Sequence, residues 1–383
     1  MKNHLLIGME NSLVYLFFDQ SIVIKAFESM DQERIEKVNN ILKKHYPTWL
    51  VDNNVTIKDC SKGYDNDVYV VSNQQDDNNQ TTIVIRIPRK DGKDQDRPAM
   101  HAVRMQARVM ERYKGAGVPV PSVLARDDDR LDRYMIESYM PQADLSEIYT
   151  EFPFKVPVDQ SKSTFQEVGR LLVKMHSVKT EKYGGMVQEE EDLPHRPLRG
   201  ELDHWIEYFS DFMESAKSCL EKNLFDTKNI LQDYKDGDQV YNILDQFYQE
   251  VSIHLKEFNT PCLVHADVCS NNIRMVKLEQ GQGQEQEQYR VNGIIDFADA
   301  ISGDGLYDIG RILSHVYGDW SFIEYIENGY FESDNKQFTT TQTKLIKFYA
   351  LFFCVWLLDV TGDNQSDNTK YNIILNNLLK LIK

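Results

Sequence analysis

The sequence predicts an α+β protein in which a small antiparallel sheet precedes a larger, mainly helical region. Before residue 141, runs rich in β-branched and aromatic residues alternate with polar loops, a pattern typical of strands. After Pro141, apolar residues recur at helical spacing through several long segments. A chain of 383 residues is long enough for two hydrophobic cores. We therefore predict an N-terminal extension with a leading helix over residues 1–50, a sheet domain over 51–140 and a helical domain over 141–383.

Two helices and several strands are predicted in the N-terminal part of the chain. Residues Ile35, Val38, Ile41 and Leu42 recur at helical spacing, so "DQERIEKVNNILKKHY" is predicted to be an amphipathic helix. A second helix is predicted from about Pro98 to Tyr113. The runs "SLVYLFF" and "SIVIKAF" could form a hairpin, although Asp-Gln is not a favoured turn pair. Further strands are predicted at "VTIKDC", "VYVV", "TTIVIRI" and "RYMIESYM".

The region after Pro141 contains five segments with helical periodicity, which are "FQEVGRLLVKMHSV", "LDHWIEYFSDFMESA", "YNILDQFYQEVSIHLKEF", "LIKFYALFFCVWLLDV" and "NIILNNLLKLI". Two β-like pieces, "NIRMVKL" and "YRVNGIIDF", interrupt this helical region. The polar insert "EQGQGQEQEQ" separates them and suits the exposed tip of a hairpin. We assign no chemistry to this insert.

Composition and charge exclude several classes of function. A net charge of −17 without a long basic run argues against nucleic acid as a partner. Five cysteines without CxxC spacing argue against a disulfide framework and a structural zinc site. No signal-peptide pattern or bilayer-spanning apolar run is present, so we predict a cytoplasmic protein without a membrane partner. The sequence does not indicate an oligomeric state.

Four polar residues follow β-like runs in the second half of the chain. His265, Asp267 and Asn272 form the pattern H-x-D-x-x-x-x-N, and Asp296 lies in "IIDF". Phosphoryl transfer needs a carboxylate beside the attacking hydroxyl and oxygen ligands that hold Mg²⁺ against the phosphates. Asp267 can serve as the base, with Asn272 and Asp296 as ligands of Mg²⁺. The alternative is a loop whose Asp and Asn make turn hydrogen bonds around a packed histidine.

These residues resemble two motifs of the aminoglycoside phosphotransferase and choline kinase-like families. "HADVCSNNI" is similar to "HGDLHPGNI", and "IIDFADAISGDGLYDIG" is similar to "IIDWEDA..GDP..DLA". The resemblance extends from about Ile57 to Ile312 and implies the bilobal protein-kinase-like fold, with a cleft between the lobes. It implies that Asp267 is the catalytic base and that His265 and Asp308 brace the catalytic loop. By the same resemblance, the ligands of magnesium are Asn272 and Asp296.

The resemblance also implies a nucleotide site in the sheet domain. "SKGYDNDVYVV" resembles the reduced nucleotide loop of the family, with Gly63 and Asn66 at matching places; the alternative is a plain hairpin turn. "IVIRIPR" resembles the strand that carries the phosphate-binding cation, which would be Arg86, although a strand arginine can also simply face solvent. "YMIESYMPQADL" resembles the hinge between the lobes. The hinge residues whose backbone is expected to meet the purine are Glu137, Ser138 and Tyr139.

One position departs from the family pattern. Gln106 stands where the family has the glutamate partner of the phosphate-binding cation. A glutamine can hydrogen-bond a guanidinium but supplies no counter-charge. Three explanations stay open: nucleotide affinity is reduced, another carboxylate substitutes, or the alignment is offset. Glu111 lies more than a helical turn further on and is a poor replacement.

The function that the resemblance implies is transfer of the γ-phosphate of ATP or GTP, with Mg²⁺, to a hydroxyl of a small molecule. The acceptor would be similar to an aminoglycoside, a macrolide, a sugar or an amino alcohol. The alternative is a nucleotide-binding pseudokinase or scaffold without turnover, which Gln106 and the sparse glycine loop favour. The acidic run "EEED" and the aromatics Trp205, Tyr208 and Phe209 could bind such an acceptor, but a solvated face and core packing are the alternatives.

Overall fold

The chain divides into two compact units, which are described separately. In this computed structural model the described residues are 14–18, 22–26, 32–50, 55–61, 66–76, 79–89, 103–128, 133–140, 143–149, 151–187, 196–223, 231, 233–234, 236–278, 288–332, 336–361 and 364–383. The first unit comprises Met1–Arg97, His101–Ala107 and Pro121–Tyr139. The second unit comprises Pro98–Met100, Arg108–Val120 and Met140–Lys383.

The first unit is built on one sheet whose strands run in the order β1-β2-β3-β4-β5-β7-β6. The strands are β1 (Val14–Phe18), β2 (Ile22–Ala26), β3 (Val55–Asp59), β4 (Asn66–Asp76), β5 (Asn79–Pro88), β6 (Val123–Asp127) and β7 (Tyr134–Ser138). Neighbouring strands are antiparallel except for β2 and β3, which are parallel. The hairpin expected from the two N-terminal apolar runs is therefore present. The Asp-Gln pair between them lies outside the described residues.

The core of the first unit joins the sheet to helix α1 (Gln32–His45). Val38 and Leu42 of α1 pack with the buried side chains of β4 and β5, among them Tyr69, Val71 and Ile85. The period-2 burial of β4 and the helical spacing of α1 both follow from this shared core. Strand β6 was not predicted from the sequence. It is an edge strand without fully buried side chains, so it carries no apolar alternation.

The second unit is mainly helical, as predicted. Helix α2 (Val103–Gly115) begins in the first unit and ends in the second. The remaining helices are α3 (Leu145–Ile148), α4 (Val158–His176), α5 (Ser210–Asn223), α6 (Gly237–Glu257), α7 (Leu306–His315), α8 (Trp320–Tyr330), α9 (Thr340–Thr361) and α10 (Gln365–Ile382). Helix α9 packs against α5, α6, α7 and α10, which explains why its apolar residues occupy nearly every face. Among the described residues, none of the helices has the length and apolar character that crossing a bilayer requires.

Two small sheets in the second unit hold the loops that carry the candidate catalytic residues. Strands β10 (Cys262–Val264), β13 (Ile301–Gly303), β8 (Tyr183–Met186) and β9 (Gly200–Leu202) form one sheet in that order. Strands β11 (Ile273–Lys277) and β12 (Tyr289–Ile294) form an antiparallel hairpin, as the sequence predicts. The polar insert falls between them, and most of it lies outside the described residues.

Helices α4 and α8 approach each other closely at two glycines. A Cβ atom on Gly329 would lie 1.9 Å from the carbonyl oxygen of Gln166, and one on Gly169 would lie 2.2 Å from that of Ile326. Because the clash is with backbone, Gly329→Ala should destabilise the protein by about 2 kcal/mol, although alanine is the better helix former. Urea unfolding measures this loss. Gly115→Ala is the matched control, since no atom lies within 4 Å of its Cβ position; equal stability of the two variants would contradict the packing described.

Candidate active site

The loop between β10 and β11, residues 265–272, carries three of the candidate residues. His265 is fully buried in this loop. Its Nε2 lies 3.1 Å from the carbonyl oxygen of Ile295, and its Nδ1 accepts a hydrogen bond from Asp267 N at 3.2 Å. A neutral ring protonated on Nε2 satisfies both contacts. The histidine therefore ties the start of the loop to the segment that follows β12.

Asp308, in the first turn of α7, holds the backbone of the same loop. Its fully buried carboxylate accepts hydrogen bonds from His265 N at 3.1 Å and from Ala266 N at 2.7 Å. His176 Nε2 lies 3.2 Å from the same carboxylate. Ala266 has a φ of 65°, a left-handed conformation that costs a non-glycine residue free energy. The two hydrogen bonds to Asp308 compensate for this conformation.

Asp267 and Asn272 lie in direct contact. Asp267 Oδ2 accepts a hydrogen bond from Asn272 Nδ2 at 2.8 Å, and the same nitrogen donates to the carbonyl oxygen of Asp267 at 2.9 Å. The Asp267 side chain keeps 28% of its surface exposed, so it is accessible to a substrate. Because the nitrogen of the Asn272 amide faces Asp267, its oxygen is the atom left for a cation. The loop therefore brings two side chains that are five positions apart into direct contact.

Arg311, a residue that sequence reasoning missed, binds the other oxygen of Asp267. Its Nε and Nη2 atoms both donate to Oδ1, at 3.1 and 2.9 Å. Burial alone would lower the pKa of Arg311, but the charge of Asp267 raises it above its usual value. Arg311 follows Asp308 by three positions on α7, which places both side chains on one face of the helix. That spacing was the available signal.

Asp296 follows the end of β12 and lies in a strained conformation. Its φ is 71°, in the left-handed region, and its side chain is half-buried. The preceding residue, Ile295, donates its N–H to the carbonyl oxygen of Asn272 at 3.0 Å. The hairpin pairing therefore brings the segments that carry Asp296 and Asn272 together. Strained backbone of this kind is often found at functional sites.

The side chains available for a cation suit Mg²⁺. Within the described ranges, no group of three or more His, Cys, Asp and Glu residues forms a metal site. Magnesium at phosphoryl-transfer sites is usually held by one or two protein oxygens together with substrate phosphates and water, rather than by an all-protein cage. One carboxylate from Asp296 and one amide oxygen from Asn272 match that donor set.

Two further residues at this loop are uncharged: the buried Cys269 within the loop and His315 at the end of α7. His315 Nε2 lies 2.8 Å from Ser270 Oγ and 3.1 Å from Ser270 N, so this ring nitrogen accepts the backbone hydrogen bond. Burial, reinforced by the charges of Arg311 and Lys370, holds the pKa of His315 well below 6.5. Burial also raises the pKa of the Cys269 thiol to about 12, with a further contribution from Asp267. Neither group carries charge at neutral pH.

The depressed pKa of His315 predicts a loss of stability in mild acid. Below pH 6.5 the unfolded chain protonates this histidine while the buried ring stays neutral, so the free energy of unfolding falls as pH falls. When the unfolded state binds about one proton more than the folded state, the free energy of unfolding changes by at most about 1.4 kcal/mol per pH unit. We expect His315→Asn to have a smaller slope of unfolding free energy against pH from about pH 5 to 6.5. His254→Asn on α6 is the control, and an unchanged slope in His315→Asn would contradict the assignment.

In the first unit, Arg86 on β5 pairs with Glu137 on β7. Arg86 Nε lies 2.9 Å from Glu137 Oε1, although its N–H is not aligned for a hydrogen bond, and the side chains are only 10% and 4% exposed. A carboxylate thus accompanies Arg86 although Gln106 replaces the expected glutamate. Of the three explanations left open by the sequence, substitution by another carboxylate has this direct support. From the sequence, a role is expected only for the backbone of Glu137.

The other candidate nucleotide residues that the structure describes lie on or next to the same sheet. Asn66 is the half-buried first residue of β4, and Gly63 lies outside the described residues. Ser138 ends β7, and its N–H donates to the carbonyl oxygen of Ser122 at 2.8 Å. A purine contact would therefore use other backbone groups of residues 137–139. Tyr139 follows the strand and is half-buried.

Comparison with known proteins supplies a family and a fold. The model of a family described as "Phosphotransferase enzyme family" matches residues 56–340. No curated protein sequence matches the chain.

Among solved structures, aminoglycoside phosphotransferase APH(4)-Ia, as a thermostable variant with ADP and hygromycin B, is similar with a TM-score of 0.55 and 16% identity, covering 90% of this chain and 98% of that one. Choline kinase from Cryptosporidium parvum Iowa II gives 0.53 and 16%, covering 91% and 96%. Choline kinase LicA from Streptococcus pneumoniae gives 0.51 and 15%, covering 90% and 99%. At such identities the similarity is one of fold, and it confirms the predicted fold class.

Proposed function

The chain belongs to the phosphotransferase enzyme family, and on this premise we propose that it transfers the γ-phosphate of ATP or GTP to a hydroxyl group of a small molecule. The observation that carries the proposal is the partly exposed carboxylate of Asp267, held by Asn272 on one oxygen and by Arg311 on the other. A carboxylate fixed in this way can orient an attacking hydroxyl.

In the proposed reaction, Asp267 accepts a hydrogen bond from the hydroxyl of the acceptor and takes its proton as the bond to the γ-phosphorus forms. The bond from that phosphorus to the bridging oxygen breaks, and the nucleoside diphosphate leaves. A loose transition state needs little basicity, so orientation is the main contribution of Asp267. Asn272 and Asp296 would hold Mg²⁺, which neutralises phosphate charge when bound. His265 and Asp308 stabilise the conformation of the loop through their hydrogen bonds.

We assign nucleotide binding to the sheet region over residues 51–140, and catalysis with acceptor binding to residues 141–383. Arg86 would contact a phosphate, Gly63 and Asn66 would belong to the nucleotide loop, and the backbone of residues 137–139 would meet the purine.

The acceptor is a hydroxylated small molecule, as in the aminoglycoside and choline kinases of the same fold. Trp205 and Phe209 are fully buried, which favours core packing for them. The "EEED" run lies outside the described residues.

The Arg86–Glu137 pair gives a test of the nucleotide assignment. Glu137→Gln leaves a buried guanidinium without counter-charge and should destabilise the protein by about 3 kcal/mol. Replacing both residues, as Arg86→Met with Glu137→Leu, should restore most of that stability but not nucleotide affinity. Urea unfolding and calorimetric titration with Mg-ATP measure the two effects. If the double variant binds nucleotide as tightly as wild type, Arg86 does not belong to the nucleotide site. Asp127→Asn, which loses an exposed ion pair with Lys44, is the control.

The competing function is nucleotide binding without turnover, which Gln106 favours. Thermal unfolding with ATP or GTP, with and without Mg²⁺, tests binding, because a ligand of the native state raises the midpoint by mass action. Release of ADP or GDP over a panel of aminoglycosides, macrolides, sugars and amino alcohols tests turnover. We expect a magnesium-dependent shift, and acceptor-dependent release that Asp267→Asn lowers about a thousandfold. The absence of any shift would contradict both functions, and a shift without release would favour the competing one.

A further inference from the structure

Helix α7 contacts the candidate catalytic loop through several side chains, and two of them act on the start of the loop and on Asp267. Asp308 accepts hydrogen bonds from the backbone of His265 and Ala266, at the start of the loop. Arg311, one turn further along α7, holds the side chain of Asp267. The same helix therefore determines both the backbone path before Asp267 and the orientation of its carboxylate.

The environment of Arg311 restricts its guanidinium to this position. The side chain is only 12% exposed, and its Cζ lies 5.4 Å from the centre of the Phe353 ring on α9. A guanidinium held over an aromatic ring on one side and by a carboxylate on another has little rotational freedom. Arg311 is thus a rigid support rather than a flexible surface charge.

The two oxygens of Asp267 are occupied unequally. Oδ1 accepts two N–H groups from a cation, which uses its lone pairs in charge-assisted hydrogen bonds. Oδ2 accepts one N–H from the neutral amide of Asn272, with the Cys269 thiol at 3.9 Å. Oδ2 is therefore the oxygen with capacity for a further hydrogen bond.

We propose that Arg311 is a positioning residue that fixes Oδ1 of Asp267 so that Oδ2 receives the proton of the acceptor hydroxyl. This inference rests on the proposed function and adds to it a residue that touches neither nucleotide nor acceptor. Arg311 acts only through Asp267. Its removal lets the carboxylate rotate, so the fraction of bound substrate in a reactive arrangement falls while ground-state binding is retained.

A double-mutant cycle tests the inference with one readout that a purely structural role would not produce. We expect Arg311→Ala to lower kcat about 100-fold, with KM values for nucleotide and acceptor within about twofold of wild type. In the Asp267→Asn background, the same substitution should change kcat by less than about twofold, because the group through which it acts is already lost. An equal fold-loss in both backgrounds would overturn the inference.

Two further variants keep the test decisive if Arg311→Ala folds poorly. Arg311→Lys retains the charge but not the two-donor edge, and it should give an intermediate kcat. Guanidinium chloride at millimolar concentration should restore part of the kcat of Arg311→Ala and none of that of Asp267→Asn. Arg170→Ala, which removes an ion pair with Glu332 in the turn after α8, should retain wild-type kcat. If Arg311→Lys and Arg311→Ala both have wild-type turnover while Asp267→Asn does not, the inference fails and the proposed function stands. If Asp267→Asn also has wild-type turnover, the proposed function itself fails.

Discussion

Asp267→Asn is expected to lower kcat about a thousandfold while the protein stays folded. The amide cannot accept the proton of the acceptor hydroxyl, and its NH₂ group must face either Arg311 or Asn272, which are both donors to this residue. The largely buried guanidinium of Arg311 loses its counter-charge, but the Asp267 side chain is partly exposed and its size is unchanged, so the loss of stability should be about 2 kcal/mol.

Steady-state nucleotide turnover and urea unfolding measure the two quantities for this variant. The matched control is Glu332→Gln, which removes the charge of another arginine-paired carboxylate in the second unit. Its kcat should equal that of wild type. Wild-type turnover by Asp267→Asn would show that this carboxylate is not the base and that the loop serves another purpose.

Asp308→Ala is expected to cost about 4 kcal/mol of stability and most of the activity. Removing this carboxylate leaves the buried N–H groups of His265 and Ala266 without their acceptor, and Ala266 loses the contacts that support its left-handed conformation. The loop should then relax, which displaces Asp267 even in molecules that remain folded.

The isosteric variant Asp308→Asn separates geometry from charge. It keeps one acceptor oxygen for the two backbone donors, so its loss of stability should be smaller than that of Asp308→Ala. Asp319→Ala is the control for loss of an aspartate that accepts from backbone, because it only caps the exposed start of α8 and should cost about 1 kcal/mol. Chemical unfolding and kcat are measured for all three. An Asp308→Ala variant as stable as the Asp319→Ala control would contradict a bracing role.

Sequence patterns predicted the family, the order of sheet and helices, and the hairpin that follows the catalytic loop. These features depend on residues near one another in the chain, where apolar period and turn composition act directly. Strand β6 was not predicted, because an edge strand without buried side chains shows no alternation of apolar and polar residues.

The side-chain partners of Asp267 and Arg86 were not predicted, because these contacts join parts of the chain that are distant in sequence. Arg311 lies 44 positions after Asp267, and only the packing of α7 beneath the loop brings them together. Glu137 faces Arg86 because β5 and β7 are neighbours in this register, with Val84 opposite Glu137. A one-residue shift of that register would turn the carboxylate to the other face.

The order of residues alone thus predicted which groups the protein would use: a carboxylate as the base, two oxygen donors for a cation, and a strand arginine. Which oxygen of Asp267 is held by a cation and which carboxylate neutralises Arg86 depended on the folded chain. The physical reason is that hydrogen bonds and ion pairs require atoms within about 3 Å, and tertiary packing alone sets such distances between segments far apart in sequence.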